Sequence, residues 1–327
     1  MRKSILWAAL LSLVFLAGCA SELAFVKNNK IYTIKDDGND LRQVGIQQTE
    51  GDRYFRPDVS HDGRELAFVS TLAFGPLIEK GAIYRVRLDG TDLVRLVPMG
   101  TQASTPKWSP NGQFVAYYVG EITTNGIFQI GRNGGSLSRI ANTGSRCNGG
   151  HDYYAGGARI IFSHWMADGS YKLYTTAVTG SAMPVPINPY LPTSVVTQDM
   201  FETLPAVSFA GDMLASAVRY PGLVGIRMRA MGTDGNWGPP FTMKLPVAYI
   251  TGVSFSDKDE KVYFSALPQP GQPQALYDVS IKELLPTITG LLTLPPGSPP
   301  PAPVDVTPRA ISAGAGENYW PSGIPKP

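Results

Sequence analysis

Pro106-Lys107-Trp108-Ser109-Pro110-Asn111-Gly112, followed by Phe114-Val115-Ala116-Tyr117, decides how this chain is read. A short run with an aromatic side chain ends in Ser-Pro-Asn-Gly, and a second apolar run leaves the turn. Asn-Gly favours a tight hairpin because both residues tolerate positive φ, so the stretch reads as two antiparallel strands. The same pattern stands upstream, where Pro57-Asp58-Val59-Ser60-His61-Asp62-Gly63 leads to Glu65-Leu66-Ala67-Phe68-Val69, read as an alternating strand. That pentapeptide repeats Glu22-Leu23-Ala24-Phe25-Val26 letter for letter. Weaker copies lead to Ile160-Ile161-Phe162, Leu214-Ala215-Ser216 and Val262-Tyr263-Phe264, and Tyr319-Trp320-Pro321-Ser322-Gly323 repeats the first half alone. Aligned on Phe25, Phe68, Tyr117, Phe162, Ser216 and Phe264, the steps are 43, 49, 45, 54 and 48 residues.

Each unit has room for two more strands. Ala82–Leu88 reads as a third, Asp89-Gly90-Thr91-Asp92 as its turn, and Leu93–Val97 as a fourth. Four strands per ~45–50 residues is the period of a propeller blade. The repeats predict an all-β, six-bladed β-propeller of four-stranded antiparallel blades. Leu23–Val26 has second-strand sequence and Tyr319–Ser322 first-strand sequence. The C-terminal strand is therefore expected to join the N-terminal strands in one blade and close the ring, which removes open edges. With 35 Gly, 28 Pro and only 17% charged residues, the composition suits a turn-rich β protein. It excludes a disordered tail, a coiled coil and a multi-span membrane protein.

Pro-x-Trp-Ser-Pro-Asn-Gly followed by Val-Ala-Tyr resembles the WD40-like repeat of TolB-type β-propellers. The same repeat occurs in propellers of prolyl oligopeptidase and dipeptidyl peptidase type and in oligogalacturonate lyases. The resemblance spans residues 20–327 and implies a propeller. By analogy with TolB, it also implies a protein-binding role at the cell envelope. Blades beginning at residue 22 leave no room for TolB's N-terminal α/β domain, and no Gly-x-Ser-x-Gly elbow marks a hydrolase. Oligogalacturonate lyases use metal and His at the channel, and their ligand set is not matched here.

Arg2-Lys3, an apolar run of about 13 residues from Ile5 to Ala17, and Gly18-Cys19 form a secretory signal. The run is short of the ~20 residues of a spanning helix. Leu16-Ala17-Gly18-Cys19 resembles a bacterial lipobox, so residues 1–18 are expected to be removed and Cys19 lipidated. Residues 19–327 then form a single propeller domain with a Pro-rich insertion near 286–308, held to a membrane by its acyl chains. Ala20 in place of Asp favours the outer membrane, by resemblance to Gram-negative sorting. Loss of Arg2 and Lys3 leaves 26 basic residues against 26 acidic ones. Without a basic run, nucleic acid is excluded as a partner. Cys147 has no disulfide partner once Cys19 is acylated.

Antiparallel order gives the ring two faces. One, the hairpin face, carries the turns between strands one and two and between three and four. Cys19 lies within roughly 10–14 Å of chain from Leu23, which places this face toward the membrane. The opposite, distal face receives the residues that enter each inner strand, where loops on a rigid scaffold carry function. Asp52, Arg53, Tyr54, Arg146, His151, Asp152, Asp199, Glu202, Tyr249, Glu317 and Tyr319 are the candidate binding rim. The expected partner is an envelope protein. A glycan or peptide at the channel mouth, stacked on Trp108, Tyr54 and Tyr319, is the alternative. A channel enzyme using His151 with Asp152, or Glu202 with Glu317, is the third. No cofactor, metal site or catalytic residue is assigned.

Overall fold

The structure, a computed structural model, describes residues 21–72, 81–120, 125–141, 150–180, 182–187, 201–294, 300–311 and 318–325. The repeated turns settle the strand pairing. Ser60 Oγ accepts the Glu65 amide at 2.9 Å while the Ser60 carbonyl accepts the Gly63 amide at 2.8 Å. Ser109 holds Phe114 and Gly112 in the same way. Only the glycines are left-handed, at φ 68° and 65°. Asp62 and Asn111 instead accept the amides two residues on with their side chains. The expected two-residue turn is thus a longer Ser-capped one, with a single position that demands Gly.

Four sheets have four strands each. The first joins Glu22–Lys27, Lys30–Lys35 and Arg42–Gln43 to the C-terminal Asn318–Ile324. The second comprises Arg53–Val59, Glu65–Thr71, Ala82–Arg87 and Val94–Val97, and the third Ala103–Trp108, Phe114–Val119, Gly126–Gly131 and Ser138–Ala141. Another joins Tyr249–Phe255, Lys261–Leu267, Ala275–Ser280 and Arg309–Ile311. A nine-stranded sheet lies between residues 151 and 305. Its two antiparallel runs meet in one parallel pair, Tyr171 beside Phe201. The fold is a propeller-like array of antiparallel sheets. Glu22 pairs with Ile324 and Lys27 with Asn318, so the two ends of the chain share one sheet.

The second strands are buried on both faces. Leu66, Ala67, Phe68 and Val69 are each 0% exposed, as are Leu23 to Val26. Neighbouring sheets pack on each side of them, so the apolar run is continuous rather than alternating. Between Ala275–Ser280 and Arg309–Ile311 the chain forms a short helix, Leu285–Gly290, with Pro near its start. Ile288 and Leu291 pack into the core of the nine-stranded sheet. Val304–Asp305 then pairs in parallel with its outer strand Phe241–Lys244. The insertion covers an edge that would otherwise be open.

Candidate functional site

Proline sits inside four first strands, where it removes a ladder donor, and in each strand the pairing register shifts at that point, as at a bulge. The residue before it takes up the bulge: Arg56, Thr105, Leu204 and Trp320 have φ between 48° and 54°. The bulge turns the residue after each proline toward the axis. Pro57, Pro106, His151, Pro205, Val253 and Pro321, each with its preceding residue, line a cavity of about 50 Å³. One residue further on, Asp58, Lys107, Asp152, Ala206, Ser254 and Ser322 occupy equivalent positions. This column laces neighbouring strands together. Asp58 Oδ2 accepts the Trp108 amide at 2.8 Å and Asp152 Oδ2 the Val207 amide at 2.9 Å. Ser254 Oγ accepts the Gly323 amide at 3.1 Å and Ser322 Oγ the Val59 amide at 3.0 Å.

The charges lie among these bonds. Lys107 Nζ donates to Asp58 Oδ1 at 2.8 Å. Burial opposes the ammonium, but the Asp58 and Asp152 carboxylates outweigh it and push Lys107 up to about 12. Burial, aided by Asp58 and resisted by Lys107, pushes Asp152 up to about 6. Burial and Lys107 bring His151 down to about 3. Among the described residues neither His151 ring nitrogen has a partner of good hydrogen-bond geometry, and the Ala116 backbone resists the fall. Below Lys107 a second cavity of about 110 Å³ is lined by Asp58, Asp152, His61, Trp108 and Ser322. Among the described residues Trp108 Nε1 and His61 Nδ1 have no hydrogen-bond partner. The space suits several waters or one small solute. Among the described residues no group of three His, Cys, Asp or Glu could hold a metal ion.

The rim residues separate into three groups. Asp52 is exposed, Arg53 half-buried, and Tyr249 is 46% exposed. Tyr54, His151 and Asp152 are buried, so the first packs and the other two line the channel instead of its mouth. Tyr54 meets Phe68 edge-on at 5.1 Å and lies under Lys30 Nζ at 4.7 Å. Trp108 is 1% exposed, so neither it nor Tyr54 offers a stacking surface at the mouth. Glu202 is not on the rim. It is 0% exposed, bonded to Arg227 at 3.0 Å, Arg229 at 2.5 Å and Ser216 at 2.8 Å. Burial alone would raise its carboxyl, but Arg229 and Arg227 hold it down at about 2. Cys19, Arg146, Asp199 and Glu317 lie outside the described residues, and Tyr319 is described only as a backbone partner of Val26.

Of the post-proline column, sequence reasoning singles out Asp152 alone; the repeat alignment carries the signal for Asp58, Lys107, Ala206, Ser254 and Ser322. Also missed was a distal row of Trp165, Tyr171, Phe201 and Arg219, which only strand register brings together.

No protein-family model and no curated protein matches the sequence. Solved structures do. TolB from Acinetobacter baumannii, 17% identical, covers 94% of this chain and 67% of its own with a TM-score of 0.67. A structure described as putative TolB from Agrobacterium tumefaciens, 15% identical, covers 80% and 86% with a TM-score of 0.55. A chain of the nidogen/laminin complex, 9% identical, covers 93% and 98% with a TM-score of 0.60. Identities this low speak to the fold alone. In fold, the chain is similar to the TolB β-propellers.

Proposed function

We propose that this protein is a membrane-anchored cell-envelope lipoprotein whose propeller is a non-catalytic scaffold for a protein partner. The observation that carries the reading is the lacing of the channel. Asp58 and Asp152, the acids best placed for channel chemistry, hold backbone amides of the next strand with one oxygen each. Asp58 gives its other oxygen to Lys107, and Asp152 gives its other to the Tyr153 amide. Such groups stabilise a ring rather than transfer protons, which leaves the exposed distal face for recognition. The fold analogy to TolB adds a prior and no residue.

The ring has six blades in this reading. First strands touch in cyclic order, Asn318–Ile324 lying between Tyr249–Phe255 and Arg53–Val59. The nine-stranded sheet is two blades joined at the Tyr171–Phe201 pair. Leu16–Cys19 supports lipidation at Cys19, and Ala20 the outer membrane. The Ser21 carbonyl accepts the Asp36 amide at 2.7 Å on the hairpin face, which supports a tether leaving from that face with the distal face away from the membrane. The test is in-cell photocrosslinking from Asp52 on the distal face, with exposed Asp234 on the hairpin face as control. A discrete protein adduct from Asp52 alone supports the scaffold. Adducts from Asp234 alone, or from neither, overturn it.

A second reading rests on Trp108 Nε1 and His61 Nδ1, which have no partner among the described residues, beside the 110 Å³ cavity. A small solute seated there would raise thermal stability in proportion to its concentration. Screening sugars and short peptides by unfolding temperature tests it, and no shift at millimolar concentration rejects it.

A further inference from the structure

The sheet register lines up one row of side chains on the distal face. Trp165 is the cross-strand partner of Tyr171, Tyr171 of Phe201, and Phe201 of Arg219. The rings follow that register: Trp165 and Tyr171 are 4.7 Å apart and Tyr171 and Phe201 5.7 Å. The Arg219 guanidinium then lies over Phe201 at 4.8 Å and over Tyr249, from the next sheet, at 5.3 Å. Arg219 and Tyr249 are exposed, and the three other rings are half-exposed.

Arg219 differs from most of the other arginines. Arg42, Arg85, Arg87, Arg95, Arg132, Arg227, Arg229 and Arg309 each meet a carboxylate. Arg219 meets none among the described residues; two aromatic faces hold it instead. The planar fork is thereby oriented before any ligand arrives, so less side-chain freedom is lost on binding. Tryptophan, tyrosine and arginine side by side are also the side chains that dominate binding energy at protein interfaces.

We propose that this row is the docking patch for an acidic segment of the partner protein. A partner Asp or Glu side chain bonds the Arg219 fork, and flanking apolar groups lie on the Trp165, Tyr171, Phe201 and Tyr249 rings. Charge complementarity selects this occupant: the patch presents a fixed cation that meets no carboxylate among the described residues, set among aromatic rings. The proposal rests on the scaffold reading and names its contact surface.

The experiment separates the two. A photoreactive phenylalanine replaces Tyr220, beside the patch, and a second strain carries it at Asp52 across the rim. Arg219→Glu, Arg219→Gln and Arg219→Lys are introduced into the full chain in each. The expected result is a Tyr220 adduct that falls at least about tenfold with Glu, less with Gln, and least with Lys. Loss of the Asp52 adduct as well gives the same answer, provided the unfolding temperature is unchanged. An undiminished Tyr220 adduct with Arg219→Glu overturns the patch and leaves the scaffold. No adduct at either position overturns the scaffold and the patch with it. In isolated envelopes, hexaglutamate should compete with the adduct and hexaglutamine should not; equal competition by both also overturns the acidic partner.

Discussion

Glu202→Gln removes one negative charge from the middle of the nine-stranded sheet and leaves Arg227 and Arg229 buried together. Two independent magnitudes bear on the cost. The carboxyl falls from 4.5 to about 2 on folding, which is worth about 3 kcal/mol at ~1.4 kcal/mol per unit. Removing one partner of a buried ion network costs about 3–5 kcal/mol because the remaining charge stays uncompensated. Gln keeps the volume and one acceptor, so a loss of about 3 kcal/mol is expected. The pH dependence carries the same signature. The folded-state value is depressed, so the stabilisation is complete above 4.5 and is lost as pH falls toward 2. Urea unfolding at neutral pH and near pH 3 measures both. The variant should be less stable at neutral pH, and its deficit should shrink in acid. A loss below about 1 kcal/mol at neutral pH would refute the argument that the arginine pair depends on this carboxylate.

Other expectations follow from the same geometry. Cys19→Ala should release the protein from membranes; retention in the pellet at high salt would contradict the lipid anchor. Deleting residues 316–327 removes the Asn318–Ile324 strand and Trp320, which packs on Phe55 at 5.4 Å. Loss of such a ring alone costs about 3–5 kcal/mol, so an unchanged unfolding temperature would rule out closure by this strand. Asp152, raised to about 6, destabilises the fold as pH rises from 3.8 to 6. His151, lowered to about 3, acts in the opposite sense and adds stability as pH rises from 3 to 6.5. His151→Leu should therefore turn a nearly level profile between pH 4 and 6 into a falling one; a level profile in the variant would show that the two do not offset.

The strands were legible because the repeat writes them in residues that turns and bulges require. Gly63 and Gly112 mark the left-handed turn positions, and Pro57, Pro106, Pro205 and Pro321 mark the bulges. Exposure was not legible, because entering a strand near the mouth does not say which way a side chain points. Phe201 faces the rim while its neighbour Glu202 faces inward, as the two-residue period of a strand requires. A signal for Glu202 was present: Arg227 and Arg229, two apart on one strand, share a face. A buried pair of cations needs a carboxylate nearby. The distal row carried no sequence signal, since Trp165, Tyr171, Phe201 and Arg219 come from four strands whose register the spacing does not reveal.

The most direct test compares face and channel in one binding measurement. Once crosslinking has identified the partner, calorimetry against the purified protein should show Arg219→Glu weakening affinity at least about tenfold, with Asp152→Asn and His151→Leu changing it less than about threefold. The reverse order, with the channel variants abolishing binding and Arg219→Glu leaving it intact, would place recognition in the channel and contradict the distal-face scaffold.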